Sequence, residues 1–256
     1  MLLITAPSKT QQPIDRKFST YTLPVFINEA DQLNTLLNEY SVEELCTLMK
    51  MSEKLGESTR NRILEFRPPL TETNSSQAIF TFQGDAYSHL TPDHYSETEL
   101  YHAQRHVRIL SGLYGILRPL DRMFPYRLEM GARLATREWK NLYEFWGNTI
   151  TEQLNLDCSQ LADQTIVNLA SAEYSKAIRP QILIPSFLTI TFKEKKGDSY
   201  KTIPIHSKRA RGMMIHYVIT TGLTRAMELR DFTTGGYSFS EKLSTENEWI
   251  FIRNNE

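Results

Sequence analysis

Apolar residues recur along this chain in two rhythms. Residues 1–5 (MLLIT) and 165–169 (TIVNL) are short apolar runs of the kind that form buried strands. Leu188, Ile190 and Phe192 alternate with Thr189, Thr191 and Lys193, the period-two pattern of a strand. The Gly197-Asp198 turn then predicts a hairpin returning to residue 205, and a second hairpin is predicted over 236–253. Helices are predicted near 25–39 and 41–66, the second opened by Ser41 and Glu44, which can satisfy each other's end amides, and stopped by Pro68-Pro69. A strand over 77–82 reaches a Gly84-Asp85 turn, and Ser96 with Glu99 opens a capped helix running to about residue 110. Asn141 caps a helix of about 15 residues. A short helix at 172–178 and a longer one at 207–221 complete the prediction.

Helices and strands are interleaved, and neither a repeat nor a low-complexity linker divides the chain. The expectation is one mixed α/β (α+β) domain over residues 1–256. With 256 residues, 40% of them hydrophobic, the chain can bury a substantial core without staples. Cys46 and Cys158 lack a C-x-x-C partner, so a disulfide framework or cysteine zinc site is not expected. The absence of a long apolar run or a charged leader predicts a cytoplasmic protein, not a membrane one, and no obligate protein partner is evident.

Charge changes the picture locally. The net charge is only -1, yet residues 105–137 carry seven arginines against Asp121 and Glu129, and residues 193–211 carry seven Lys and Arg against Glu194 and Asp198. Two basic segments on an acidic body fit a localised anion-binding groove. The alternative is a set of solvated charges paired with carboxylates elsewhere. Arginine in the first segment favours phosphate, whose oxygens its planar fork can grip in two places.

Dinucleotide, P-loop, nucleophile-elbow and zinc-protease signatures are absent, which weakens those readings without excluding an enzyme. His102 and His106 stand four apart on a predicted helix. That spacing suits two imidazoles on one metal ion, or simply a helix face with two histidines; His89 and His94 lie upstream at no recognisable ligand spacing. No metal or cofactor is expected. Asp85 and Tyr87 beside a sheet edge, and Glu173, Tyr174 and Lys176 after the 165–169 strand, suit either a binding site or ordinary turns. Gly112 and Gly115, three apart between a helix and the arginine-rich stretch, suit a backbone cradle for phosphate, similar to a helix-hairpin-helix motif, or a plain helix cap. The two intervening residues and Pro119 depart from that motif.

Seven blocks in order along the chain carry a family resemblance: 6–10 (APSKT), 82–87 (FQGDAY), 110–121 (LSGLYGILRPLD), 125–131 (PYRLEMG), 142–147 (LYEFWG), 168–174 (NLASAEY) and 208–212 (KRARG). Together they resemble the bacterial YaaA family of peroxide-stress proteins. The resemblance implies a cytoplasmic stress-response protein of unusual mixed α and β fold with an embedded helix-hairpin-helix element. It also implies binding of double-stranded DNA through a positively charged cleft and an association with lowered free intracellular iron. Ala6-Pro7-Ser8 stands where the family more often has Ser-Pro-Ala, keeping the proline and Lys9 but moving the hydroxyl.

On this reading the phosphate contacts are Arg118, Arg122, Arg127, Arg133, Lys208, Arg209 and Arg211, with Gly112 to Gly115 as the cradle. The rival is an enzyme acting on a small phosphorylated or nucleotide-like substrate in the same cleft, with Lys9, Asp85, Tyr87, Glu129, Glu173 and Lys176 as candidate catalytic groups. Convergence of Lys9, Asp85, Glu129 and Lys176 in one concavity would favour the rival.

Overall fold

The computed structural model describes residues 1–14 and 18–254. The opening apolar run is β1 (Leu2–Thr5), with every residue buried. After it come α1 (Ile27–Leu37), α2 (Val42–Met49) and α3 (Glu53–Glu65). The predicted 41–66 helix is thus two helices. Its capping box at Ser41 and Glu44 is present, but the chain breaks at Lys50, which takes a left-handed φ of 50°. Pro68 and Pro69 follow the second of them, as expected.

The predicted 77–82 strand shrinks to β2 (Ser76–Gln77), followed by a 3-10 turn over Ala78–Phe80. Helix α4 (Glu97–His106) starts with the expected Ser96–Glu99 capping box and ends four residues early. Its predicted tail, rich in β-favouring apolar side chains, is instead the buried strand β3 (Val107–Ser111). β4 (Gly115–Leu117) returns antiparallel to it, with Ser111 opposite Gly115, and β5 (Arg122–Met123) follows. Residues 107–117 are therefore a β-hairpin, where a helix-hairpin-helix element was expected.

Next come α5 (Leu142–Trp146) and α6 (Thr149–Ser159), where one helix was predicted. Asn141 caps the first through its side chain, and Gly147, at φ 46°, divides the two because it takes a backbone conformation that costs other residues. The remaining elements are β6 (Thr165–Asn168), α7 (Ala172–Ser175), β7 (Ser186–Lys196), β8 (Ser199–Lys201), α8 (Pro204–Thr221), β9 (Tyr237–Phe239) and β10 (Glu248–Arg253). Both late hairpins form, though the return strand of the first ends at Lys201, short of the expected residue 205, because α8 already starts at Pro204.

Apart from β2 and β5, which pair with each other, the strands build one mixed sheet in the order β4-β3-β1-β6-β7-β10-β9, with β8 paired to β7. β3, β1, β6, β7 and β10 run parallel, and the short antiparallel strands sit on the flanks. The chain leaves β1 for β3 on one side, then crosses to β6 on the other. The carboxyl edge between β1 and β6 is consequently a topological switch point, where open α/β sheets characteristically leave a crevice. Helices and strands share one continuous core, so the molecule is a single compact mixed α/β domain. No helix among the described residues is long and apolar enough to cross a membrane.

Candidate functional site

A cleft of about 330 Å3 opens at that switch point. Its lining comes from the loop after β1, the turn at residues 84–86, residues 126–129 after β5, the segment after β6, and Lys208 and Arg211 of α8. Two strand ends thus bring together stretches more than 160 residues apart. Tyr87, buried beneath the site, donates its hydroxyl to the Ala6 carbonyl at 2.8 Å and so fixes the first loop from below. It holds the wall of the cleft without being part of its lining.

Four cations, Lys9, Arg127, Lys208 and Arg211, line the cleft with three carboxylates, Asp85, Glu129 and Glu173. Most of the acids are already engaged. Lys9 Nζ pairs with Glu129 Oε1. Arg209, at the rim, donates from Nε to Asp85 at 3.2 Å. Glu173 Oε1 accepts from the Gly131 amide at 2.9 Å.

Arg127 and Arg211 are half-buried and differ from the buried arginines Arg108 and Arg122, which are held by Asp157 and by backbone carbonyls. Neither Arg127 nor Arg211 has an ion pair or a side-chain hydrogen bond to any described residue, and the Nε of each is shut away from water with no acceptor. Burial lowers the pKa of both guanidinium groups, with the charge of Arg62 adding to the effect at Arg127. Both stay protonated at any ordinary pH. No described residue compensates their desolvation, a cost that an incoming oxyanion would relieve.

The floor is of another character. Tyr126, Leu128, Leu169 and Tyr174 lie beneath the charged walls. The Tyr126 hydroxyl accepts from Ser111 Oγ at 2.7 Å, and the Tyr174 hydroxyl is engaged by the Met130 backbone amide. With both hydroxyls turned to the protein, the floor offers carbon.

Several residues expected to grip phosphate are placed elsewhere. Arg118 caps the buried carboxylate of Asp121 at 2.8 Å and also donates to the Leu23 carbonyl. Arg122 is buried, donating to the Ser75 carbonyl at 2.7 Å, with its guanidinium 4.4 Å from the Tyr21 ring centre. Arg108, in the same basic segment, is spent on Asp157. Arg133 is exposed and outside the cleft lining. Gly112 and Gly115 are buried in the β3–β4 hairpin, where the Gly112 carbonyl accepts the Trp146 indole N–H at 3.0 Å. A cradle needs amides open to the ligand, and burial removes that role from this hairpin. Of the arginine-rich stretch only Arg127 reaches the cleft, where it meets Lys208 and Arg211 of the second basic segment.

Of the four residues whose convergence was to favour the small-substrate reading, Lys9, Asp85 and Glu129 meet in the cleft. Lys176 does not line it; its ammonium sits 4.9 Å from the Tyr143 ring centre. The histidine pair is internal: the His102 and His106 rings lie 4.4 Å apart, bonded to the Leu223 and Met1 carbonyls. Among the described residues no three His, Cys, Asp or Glu side chains are grouped to hold a metal ion. Sequence reasoning marked Tyr174 beside Glu173 but missed Tyr126, Ser8 and Thr10 as lining residues. Position in the loop after β1 was the available signal for the last two; nothing in the sequence marks Tyr126.

Fold and site together define an α/β protein with a cationic, carbon-floored cleft at the carboxyl edge of an open sheet. The family model for the peroxide stress protein YaaA matches residues 1–243. The chain is 47% identical to a UPF0246 protein of Acaryochloris marina, covering 99% of this chain and 100% of that one. It is 43% identical to a UPF0246 protein of Cellvibrio japonicus and 42% identical to one of a Janthinobacterium species, each over 99% of this chain and 98% of the relative. This chain belongs to the YaaA family of peroxide stress proteins.

Proposed function

We propose that this peroxide stress protein acts in the cytoplasm by binding a small phosphate-bearing ligand in the switch-point cleft. One observation carries the reading: Arg127 and Arg211 line a single concavity, partly desolvated and without an anionic partner among the described residues. Paired guanidinium forks suit the oxygens of a phosphate, and the cleft volume falls in the range of about 300–1,000 Å3 usual for small-molecule sites. Three carboxylates among the cations suit a compact ligand better than a polyanion, whose further phosphates they would repel.

Thermal unfolding with and without millimolar pyrophosphate tests this. Ligand that binds only the folded state raises its melting temperature. The wild-type protein is expected to show the rise, and Arg211→Met to lose it while remaining folded. Equal shifts in both proteins would overturn the assignment.

A second reading, binding of double-stranded DNA, is favoured by Lys208 and Arg209, exposed on α8 at the rim. It predicts affinity for a 20-base-pair duplex that falls by about 0.9 log unit per log unit of salt for each phosphate neutralised. Loss of that affinity in a Lys208→Ala, Arg209→Ala variant would support duplex binding; a salt-independent signal would contradict it. Lowered free iron is then an effect of cleft occupancy. Cells carrying Arg127→Met with Arg211→Met in place of the wild-type protein should fail to lower their iron.

A further inference from the structure

We infer that the ligand is a ribonucleoside monophosphate, an inference that rests on the phosphate-binding reading above and adds to it the other two parts of the molecule. The cleft presents three kinds of surface that one ligand must match. Arg127 and Arg211 need an oxyanion. The floor of Tyr126, Leu128, Leu169 and Tyr174 needs carbon, since both phenol hydroxyls are turned to the protein. A flat ring covers such a floor well, because aromatic and aliphatic carbon pack without leaving polar groups stranded.

The carboxylates supply the third constraint. Glu129 holds Lys9 through Oε1 and Glu173 accepts the Gly131 amide through Oε1, and among the described residues the second oxygen of each has no partner and can take a ligand. Carboxylates only accept hydrogen bonds, so the ligand must bring donors. Inorganic phosphate and pyrophosphate bring none at neutral pH that match two separate carboxylates. A ribose brings a pair of hydroxyls, and Glu173, just past the carboxyl end of the parallel strand β6, with Glu129 facing the same cleft, can accept from them. Phosphate, diol and base together answer all three surfaces. The phosphodiester backbone of DNA lacks the 2′-hydroxyl and keeps its bases paired away from such a floor.

Calorimetric titration of the wild-type protein with AMP, GMP, CMP and UMP, with the matching deoxynucleotides, and with ribose 5-phosphate and pyrophosphate tests the inference. At least one ribonucleotide is expected to bind roughly tenfold or more tighter than its deoxy form, the strength of a lost hydrogen bond to a charged acceptor, and tighter again than ribose 5-phosphate. Glu173→Ala should shrink the ribo-to-deoxy ratio while pyrophosphate binding is retained. Equal binding of ribonucleotide, deoxynucleotide and ribose 5-phosphate would overturn the nucleotide assignment and leave the phosphate site standing. Binding of none of these compounds would overturn both.

Discussion

Gly212 of α8 lies against the Ala86 carbonyl so closely that an added Cβ would stand 2.2 Å from that oxygen. This contact locks the helix carrying Lys208 and Arg211 to the turn carrying Asp85, two walls of one cleft. Gly212→Ala must push the backbones apart, because the obstructing atom belongs to the main chain and cannot rotate away. A loss of about 1–3 kcal/mol in unfolding free energy is expected, as for overpacked cores. Ligand-induced thermal stabilisation should fall with it. Wild-type stability in denaturant titration would show that the two walls are not coupled here.

Arg118 and Asp121 yield the opposite kind of prediction. Asp121 is fully buried and accepts from the Arg118 backbone and guanidinium as well as from Thr22. Removing the cation strands a buried carboxylate, so Arg118→Met should cost about 3–5 kcal/mol of stability. Affinity of the folded variant for the cleft ligand should stay at the wild-type level, since Arg118 is outside the lining. A large affinity loss with unchanged stability would return Arg118 to the binding surface.

His106 gives the fold a pH dependence. Burial, against a hydrogen bond to the Met1 carbonyl, pushes its pKa down to about 4 from the usual 6.5. Between those values the unfolded chain binds a proton that the folded chain refuses, so stability is full above about pH 6.5 and declines as pH falls toward 4. The decline attributable to this group is on the order of 1–2 kcal/mol. His106→Gln should flatten that part of the profile in urea titrations across the window. An unchanged slope would assign the dependence to other groups.

Much of this architecture is legible in the sequence, and the exceptions have physical causes. Capping pairs at Ser41 with Glu44 and Ser96 with Glu99 mark helix starts correctly, because they are local hydrogen-bond chemistry. Residues 107–110 fail as a helical tail because their pairing with β1, at the start of the chain, lies far outside any local window. The basic segments mislead for a related reason. Seven arginines in a row of 33 residues look like one surface, yet Arg108, Arg118 and Arg122 are turned inward to Asp157, Asp121 and backbone carbonyls. Charge density along the chain does not say which cations are already neutralised. Lys9, Asp85, Glu129 and Glu173 were legible as loop residues after strands and turns; their meeting depends on the strand order, which the sequence does not display.

The central claim is that Arg127 and Arg211 act on one ligand in one cleft. A double-mutant cycle with Arg127→Met and Arg211→Met, read as the dissociation constant for AMP, tests it most directly. Each single variant is expected to weaken binding at least about tenfold, with the double variant little worse than the more damaging single one, because both forks hold the same phosphate. Wild-type affinity in both single variants, or strictly multiplied losses in the double, would contradict a shared site.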